Sequence, residues 1–335
     1  VVAVNTLAEA IGHASGRAPL ARHPSEAWQP APWRGSTSVV RGQPLAVQAA
    51  WIAAAGGHNL LFSGPPGCGK TLLARHVVDL LPSLTRPEAM EASRMHSIAG
   101  LLEGGLLRRR PFRAPHHSVS LAGLVGGGSV PRPGEVSLAH RGVLFLDELP
   151  EFARASLEAL RQPLEDGVIT VARAAGTARF PAEALVVAAC NPCPCGWHGV
   201  PGRCRCTRTA RERYRVRISG PLRDRFDIQV SLRPVDPERL VGAEEPPPYD
   251  VDALRAARAR QAGRWNARIP AAELPEAVRP TERARREVVR SARQLGLSGR
   301  GVHRTLRVAR TLADLRDENE VDIDDVRIAL TLREA

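Results

Sequence analysis

Short apolar runs alternate with longer segments of helical spacing over most of this chain. Four of the apolar runs predict buried strands, at residues 60–63, 142–149, 183–192 and 227–232. Helices are predicted from about residue 42 to residue 57 and from Thr71 onward. Strands that alternate with helices are typical of an α/β domain with a parallel sheet, which binds its ligands at the carboxyl ends of the strands.

Two segments interrupt this alternation. Glycine-rich residues 121–135 predict an insertion, and residues 169–182 predict a β-hairpin with its turn near Ala175–Gly176. Acidic, proline-rich residues 242–250 then predict a domain boundary. Only helical patterns follow, at residues 250–266, 281–295, 301–316 and 323–333.

The first 40 residues carry little regular pattern. Residues 1–16 are compatible with a short helix, and residues 23–36, which contain proline and tryptophan, are typical of a linker. Because the first residue is valine, we expect the chain to begin inside a longer protein or to have been trimmed. The predicted domains are residues 1–40, 41–241 and 242–335.

Composition and charge narrow the function. The 335 residues are 43% hydrophobic, without a signal-peptide pattern or an apolar run long enough to span a bilayer, so we expect a cytoplasmic protein with no membrane partner. Basic residues outnumber acidic ones by 47 to 35. A polyanionic partner and a basic solvated surface both explain this excess. The aromatic content of 4% argues against stacking on nucleotide bases, so contacts with nucleic acid would join arginine to phosphate.

The chain contains a single lysine, at position 70, within GPPGCGKT at residues 64–71. This stretch fits the phosphate-binding pattern G-x-x-x-x-G-K-[ST], and it lies between a predicted strand and a predicted helix, as that motif requires. Its backbone N–H groups and the lysine face the phosphates, and Thr71 supplies a hydroxyl to Mg²⁺. The predicted ATP-binding residues are Gly64, Pro65, Pro66, Gly67, Cys68, Gly69, Lys70, Thr71 and Leu72.

Polar side chains end the next two predicted strands. Asp147 is predicted to hold Mg²⁺ and Glu148 to polarise the attacking water. A helix-capping pair of carboxylates would look the same, but the upstream phosphate-binding motif favours catalysis. Asn191 either orients the water, without repelling the γ-phosphate, or belongs to an Asn-Pro turn.

Four of the six cysteines are clustered, at Cys193, Cys195, Cys204 and Cys206. This clustering without a secretory signal predicts a metal site in a reducing compartment, not a disulfide framework. Four thiolates can close a tetrahedral Zn²⁺ site, and reduced, partly buried thiols are the alternative. The basic run that follows, at residues 203–217, either touches DNA or is solvated.

These motifs, together with the sequences at residues 110–152 and 191–227, resemble the ComM/YifB family of Mg-chelatase-like AAA+ ATPases. The resemblance runs from about Gly42 to the carboxyl terminus. It implies a P-loop AAA+ three-layer αβα sandwich with a parallel sheet, followed by a small all-α lid. In that family a Lon-protease-like domain precedes the ATPase, and residues 1–25 look like its tail.

The resemblance also assigns roles to single residues. It favours the water-orienting role for Asn191, and it implies that Arg225 is the arginine finger that reaches the neighbouring subunit's γ-phosphate. Arg300 matches the sensor arginine of the lid helices. Considered alone, either arginine is equally well explained by a surface ion pair.

Two further segments match elements that face the channel in related ring helicases. Residues 111–138 match an insert in the second AAA+ helix, and residues 169–182 match the pre-sensor hairpin, which makes Arg173 and Arg179 candidate DNA contacts. The adjacent His116 and His117 at the edge of the insert are expected to form a structural hydrogen-bonding pair, not a metal or catalytic site.

The leading hypothesis is a Mg²⁺-dependent ATPase that forms a ring, expected to be a hexamer, with zinc as a structural ion. By resemblance it acts as a helicase on single-stranded or branched DNA and promotes branch migration during natural transformation. The same architecture drives metal insertion in magnesium chelatases and could instead remodel a protein. A scaffold that binds ATP and hardly hydrolyses it is the third hypothesis.

Overall fold

The computed structural model describes residues 2, 4–21, 28–33, 40–173, 176–236, 238 and 250–334. Most of the predicted linker, the predicted turn residue Ala175 and nearly all of the acidic joint at residues 242–250 lie outside the described residues.

Five parallel strands form the central sheet. In chain order they are β1 (Leu60–Ser63), β2 (Phe112–Arg113), β3 (Val143–Leu146), β6 (Leu185–Cys190) and β7 (Ile228–Ser231). Their order across the sheet is β2-β3-β6-β1-β7, so β1 lies between β6 and β7. The remaining two strands, β4 (Val168–Arg173) and β5 (Gly176–Pro181), form a separate antiparallel hairpin.

Fifteen α-helices occur in the described part of the chain, and three 3-10 turns join them, at Leu149–Glu151, Asn266–Arg268 and Ala271–Glu273. The helices are α1 (Leu7–Ala14), α2 (Pro44–Gly56), α3 (Lys70–Leu80), α4 (Arg86–Ile98), α5 (Leu121–Val125), α6 (Glu135–Leu138), α7 (Arg154–Ala159), α8 (Arg161–Asp166), α9 (Arg208–Arg215), α10 (Gly220–Arg223), α11 (Val251–Arg260), α12 (Leu274–Val278), α13 (Glu282–Leu295), α14 (Gly299–Leu315) and α15 (Ile323–Glu334).

Alternation along the strands divides the core between the two faces of the sheet. Val143 and Phe145 of β3 pack with α2, α3 and the carboxyl-terminal helices. Leu144 and Leu146 of the same strand pack with α4, α7 and the hairpin on the other face. Helices therefore cover both faces, and the predicted three-layer sandwich with a helical carboxyl-terminal region is confirmed.

The carboxyl-terminal helices are joined to the sheet by buried polar contacts as well as by apolar packing. The buried ring of His58, just before β1, places Nε2 2.8 Å from Thr311 Oγ1 on α14 and Nδ1 3.6 Å from an Asp227 oxygen. Arg304 of α14 lies 3.6 Å from the other Asp227 oxygen. Because Asp227 directly precedes β7, these contacts hold α14 at the amino edge of the sheet.

All four predicted strands are confirmed, and so is the hairpin, in which Val171 lies opposite Ala178. The edge strand β2 was not predicted, because a run of two half-buried residues is too short to carry a periodic signal. Phe112 and Arg113, at the start of the predicted insert of about residues 111–138, pair with β3 in the central sheet.

Among the described residues, no helix has both the length and the apolar character that crossing a bilayer requires.

The free energy of unfolding should fall in acid because of His76, which is buried on α3. Burial lowers its pKa from 6.5 to about 4, so the unfolded chain binds a proton there at pH values where the folded chain does not. The contribution of His76 is therefore fully present above pH 6.5 and is lost as the pH falls toward 4, by about 2 kcal/mol between pH 7.5 and pH 5.

Urea denaturation of the wild type and of His76→Leu at these two pH values measures this contribution. The wild type should lose about 2 kcal/mol more than the variant. The exposed His116, substituted as His116→Gln, is the control and should behave like the wild type. An equal acid loss in His76→Leu and the wild type would show that another group is responsible.

Candidate active site

The loop between β1 and α3 is shaped by two glycines in the left-handed region. Gly67 has φ of 77° and Gly69 has φ of 91°, conformations that residues with a side chain rarely adopt. A Cβ atom would meet nothing within 4 Å at either position, so the backbone angle and not lack of space favours glycine here. The loop leads directly into α3, whose first residue is Lys70, and free N–H groups at a helix amino terminus favour anions.

The Lys70 ammonium is held between this loop and the end of β6. It donates to the carbonyl oxygens of Gly64 at 2.7 Å and Pro65 at 2.9 Å, and to Asn191 Oδ1 at 3.1 Å. All three ammonium protons thus have acceptors in the protein. Asn191 follows β6, so the predicted lysine and the predicted asparagine are in direct contact.

Asp147 connects the carboxyl end of β3 to the start of α3. Its Oδ2 accepts a hydrogen bond from Thr71 Oγ1 at 3.4 Å, and its Oδ1 accepts one from the backbone N–H of Glu148 at 2.9 Å. A hydroxyl and a carboxylate oxygen side by side are the ligand type that Mg²⁺ prefers. The residues present therefore fit a magnesium ion held by Thr71 and Asp147.

Glu148 has an unusual backbone and a partner that the sequence analysis did not assign. Its φ of 51° and ψ of 44° place a non-glycine residue in the left-handed region, a strained conformation that is concentrated at functional sites. The carboxylate is half-exposed, and its Oε2 lies 3.2 Å from His117 Nδ1. The neighbouring His116 Nδ1 lies 2.8 Å from Ser118 Oγ, within the same turn.

The expected structural role thus describes His116, whereas His117 contacts the predicted catalytic carboxylate. Nothing in the spacing of the sequence indicates this contact, because it depends on the segment after β2 folding back over the end of β3. The edge strand that sets this path was itself not predicted.

Arg225 and Arg300 lie at the opposite edge of the sheet from Lys70. Arg225 comes just before β7, and its carbonyl oxygen accepts from Asn59 Nδ2, just before β1, at 3.2 Å. The four-residue strands β1 and β7 separate this amino edge from the phosphate-binding loop by about 13 Å. The structure therefore does not bring these two arginines to the chain's own Lys70.

The two arginines instead share one carboxylate, that of Glu165 on α8. The guanidinium of Arg225, only 7% exposed, pairs with Glu165 Oε2 and also donates to the carbonyl oxygens of Arg161 and Pro221. The exposed Arg300, at the start of α14, lies 3.4 Å from Glu165 Oε1.

The candidate DNA contacts lie on the hairpin. Arg179 is exposed, on the face of β5 opposite the buried Phe180, and its backbone pairs in register with Thr170. Arg173 ends β4 opposite Gly176, and its side chain lies outside the described atoms.

The four clustered cysteines converge on one point. Their Sγ atoms all lie within 4.8 Å of one another, with Cys193 3.4 Å from Cys195 and both 3.9 Å from Cys204. Sulfur atoms of a tetrahedral zinc site are about 3.8 Å apart, since each Zn–S bond is about 2.3 Å. Hydrogen bonds from the backbone of Trp197 and Arg205 lower the pKa of the Cys195 thiol to about 6. The geometry fits zinc, which was the favoured prediction.

The cysteine loop lies directly against the phosphate-binding loop. A Cβ atom at Gly196 would come within 2.8 Å of Pro66 Cδ, so no side chain fits between the two loops. The other two cysteines, Cys68 and Cys190, are buried, and burial raises the pKa of both thiols.

Two protein-family models together match most of this chain. The family model described as magnesium chelatase, subunit ChlI, matches residues 36–240, and the model of the carboxyl-terminal part of that subunit matches residues 251–333.

Three relatives match most of the chain. An uncharacterized protein of Mycobacterium tuberculosis is 46% identical over 308 residues, which are 88% of this chain and 61% of the relative. Competence protein ComM of Haemophilus influenzae is 44% identical, over 84% of this chain and 56% of ComM. The uncharacterized protein YifB of Escherichia coli is 41% identical, over 88% of this chain and 60% of YifB.

The chain thus spans about three fifths of the length of these relatives. A more distant match, 27% identical, covers 54% of the chain and 19% of the zygotic DNA replication licensing factor mcm3 of Xenopus laevis. The first family model covers more than half of the chain and includes the phosphate-binding loop, Asp147, Glu148 and Asn191. The chain therefore belongs to the magnesium chelatase subunit ChlI family of AAA+ proteins, with ComM and YifB among its relatives.

Proposed function

We propose that this protein is a Mg²⁺-dependent ATPase that works as a ring and acts on DNA. The observation that carries the ATPase proposal is the meeting of Lys70, Thr71, Asp147, Glu148 and Asn191 at the carboxyl edge of the sheet. This edge is where parallel sheets bind ligands, and the five side chains supply a phosphate-binding cation, oxygen ligands for a metal, a base and an orienting amide.

Each group has a separate task in hydrolysis. The loop amides and Lys70 bind the phosphates, and the ammonium exchanges its carbonyl acceptors, Gly64 and Pro65, for phosphate oxygens. When bound by Thr71 and Asp147, Mg²⁺ supplies charge neutralisation at the phosphates. Glu148 accepts the proton of the attacking water, and Asn191 orients that water. His117 holds the Glu148 carboxylate from the other side.

The position of the two arginines supports assembly. Arg225 and Arg300 cannot complete the chain's own site from the opposite edge, but a neighbour's phosphates could replace Glu165 as their shared anion. Both arginines would then stabilise negative charge in the transition state from the adjacent subunit. Heterologous contacts of this kind close into rings, and we propose six subunits.

Three features support DNA as the target. The net charge is +12, the exposed Arg179 lies on the hairpin, and the relatives include a competence protein and, more distantly, a DNA replication licensing factor. We therefore propose that the ring is a helicase on single-stranded or branched DNA, promoting branch migration in natural transformation. The magnesium chelatase match supports a second candidate, a motor directed at a protein or a metal-inserting partner.

We also propose a structural zinc ion at Cys193, Cys195, Cys204 and Cys206. Zinc would fix the loop that starts two residues after Asn191 and packs on Pro66. The metal would then hold the orienting amide of Asn191 in a fixed position relative to the phosphate-binding loop.

Replacing the base tests the ATPase proposal. Glu148→Gln keeps the shape of the side chain but removes proton acceptance, so kcat for ATP should fall by about 10²- to 10⁴-fold while ATP binding persists. Steady-state hydrolysis and equilibrium binding of a fluorescent ATP analogue measure the two quantities. The nearby Glu151→Gln, which removes only an ion pair with Arg217, should keep its activity. Undiminished turnover in Glu148→Gln would remove Glu148 from the mechanism.

DNA binding should be steeply dependent on salt, because phosphate contacts release counterions. Fluorescence anisotropy with forked and single-stranded DNA at several salt concentrations gives the slope of log Kobs against log salt. Arg179→Gln should reduce that slope by about 1, whereas Arg283→Gln, exposed on α13, should leave it unchanged. A flat salt response or no binding would favour the protein-directed motor.

Metal analysis tests the zinc proposal. The purified protein should contain one zinc per chain by mass spectrometry of the metal, and the double variant Cys204→Ser/Cys206→Ser should contain almost none. Cys68→Ala, which changes a cysteine outside the cluster, should keep its zinc. Wild-type protein that stays metal-free after refolding with zinc would contradict the proposal.

A further inference from the structure

A second basic site lies beside the candidate active site. A cavity of about 400 Å³ opens between the ends of β1, β6 and β7 and the helices α9 and α10. Its described lining carries five basic side chains and a single carboxylate, that of Glu212; the basic ones are His198, Arg208, Arg211, Arg215 and Arg223.

The charges of this cavity are poorly balanced. Glu212 is already paired with Arg208, at 2.9 Å. Arg211 donates to His198 Nδ1 at 2.7 Å, a contact that brings no negative charge. Arg223 is half-buried, and no carboxylate of the described residues lies within ion-pair distance of it. Burial and the nearby charge of Arg215 lower the pKa of Arg223, as expected for a guanidinium without a counterion. A bound anion would relieve this repulsion.

Asn191 connects the cavity to the active site. Its side chain lines the cavity and also accepts the hydrogen bond from Lys70 at 3.1 Å. Ser63 and Cys190, the last residues of β1 and β6, line it as well. Asn191 therefore contacts both the cavity that the arginines line and the Lys70 ammonium of the candidate active site.

We propose that this cavity binds inorganic phosphate, and that phosphate released by hydrolysis passes Asn191 to reach it. Guanidinium groups bind phosphate oxygens in pairs of parallel hydrogen bonds, and Arg223 and Arg215 are placed to do so at the inner and outer parts of the cavity. The passage from the active site rests on the proposed ATPase function. The binding of phosphate does not.

Phosphate binding to the cavity is tested in a variant whose active site is impaired. Lys70→Ala removes the phosphate-binding ammonium and so weakens phosphate binding at the loop, and a second substitution in this background shows which part of the remaining stabilisation comes from the cavity. In this background, saturating inorganic phosphate should raise Tm by about 2 °C relative to sodium chloride of equal ionic strength. Adding Arg223→Gln should abolish the shift, and adding Arg213→Gln, exposed on α9 outside the cavity lining, should preserve it. A shift that survives loss of Arg223 would overturn the proposal.

Two further measurements keep this test decisive. Arg215→Gln changes an exposed side chain, so it should also weaken the phosphate shift even if Arg223→Gln fails to fold. The phosphate groups of DNA could bind to the same arginines as inorganic phosphate does. Binding of an oligonucleotide is therefore measured separately, to distinguish DNA from inorganic phosphate. If Arg223→Gln weakens oligonucleotide binding but leaves the phosphate shift intact, the cavity belongs to DNA and the proposal is wrong.

Inhibition of ATP hydrolysis by inorganic phosphate tests whether product phosphate passes to the cavity. In the wild type, inorganic phosphate should inhibit ATP turnover, and Arg223→Gln should raise the inhibition constant at least about tenfold because a charge-assisted contact is lost. Absence of any ATPase activity would refute the proposed function while the Tm shift in Lys70→Ala still reports on the cavity. Unchanged inhibition in an active Arg223→Gln variant would refute the passage of product phosphate.

Discussion

The pairing of β6 between β1 and β3 is the constraint on which the candidate active site depends. Parallel strands end at the same edge, so this pairing brings together the loop after β1, the carboxylates after β3 and the amide after β6. The hydrogen bond from Lys70 to Asn191 and the contact between Thr71 and Asp147 follow from that arrangement. The cysteine loop and the arginine-lined cavity are attached to the same end of β6.

The opposite, amino edge of the sheet also carries cationic side chains. Arg225 and Arg300 meet there on Glu165, about 13 Å or more from the phosphate-binding loop of their own chain. A single chain thus carries separate groups of cationic residues at the two edges of the sheet. In the proposed ring, a neighbouring copy would place its nucleotide against these arginines.

Much of the fold could be predicted because its signals are local. The four apolar strands, the hairpin and the helices after residue 250 each have a period or a boundary that appears in the sequence itself. The strand β2 was missed, because two residues of an edge strand are stabilised by pairing with β3 and not by their own pattern. The contact of His117 with Glu148 was also missed, because it depends on how the segment after β2 folds and not on the spacing of residues in the sequence.

The sequence by itself determined which groups carry the proposed chemistry: a predicted phosphate-binding loop with the one lysine, a carboxylate pair at the end of an apolar strand, and four clustered cysteines. Spacing suffices for these features because each lies within a few residues of chain. Resemblance to a family singled out Arg225 and Arg300, but only the tertiary structure decided where these arginines and Arg223 lie and what they contact. Arginine is frequent along the whole chain, so the placement of Arg225, Arg300 and Arg223 depends on which strand ends and helices pack together.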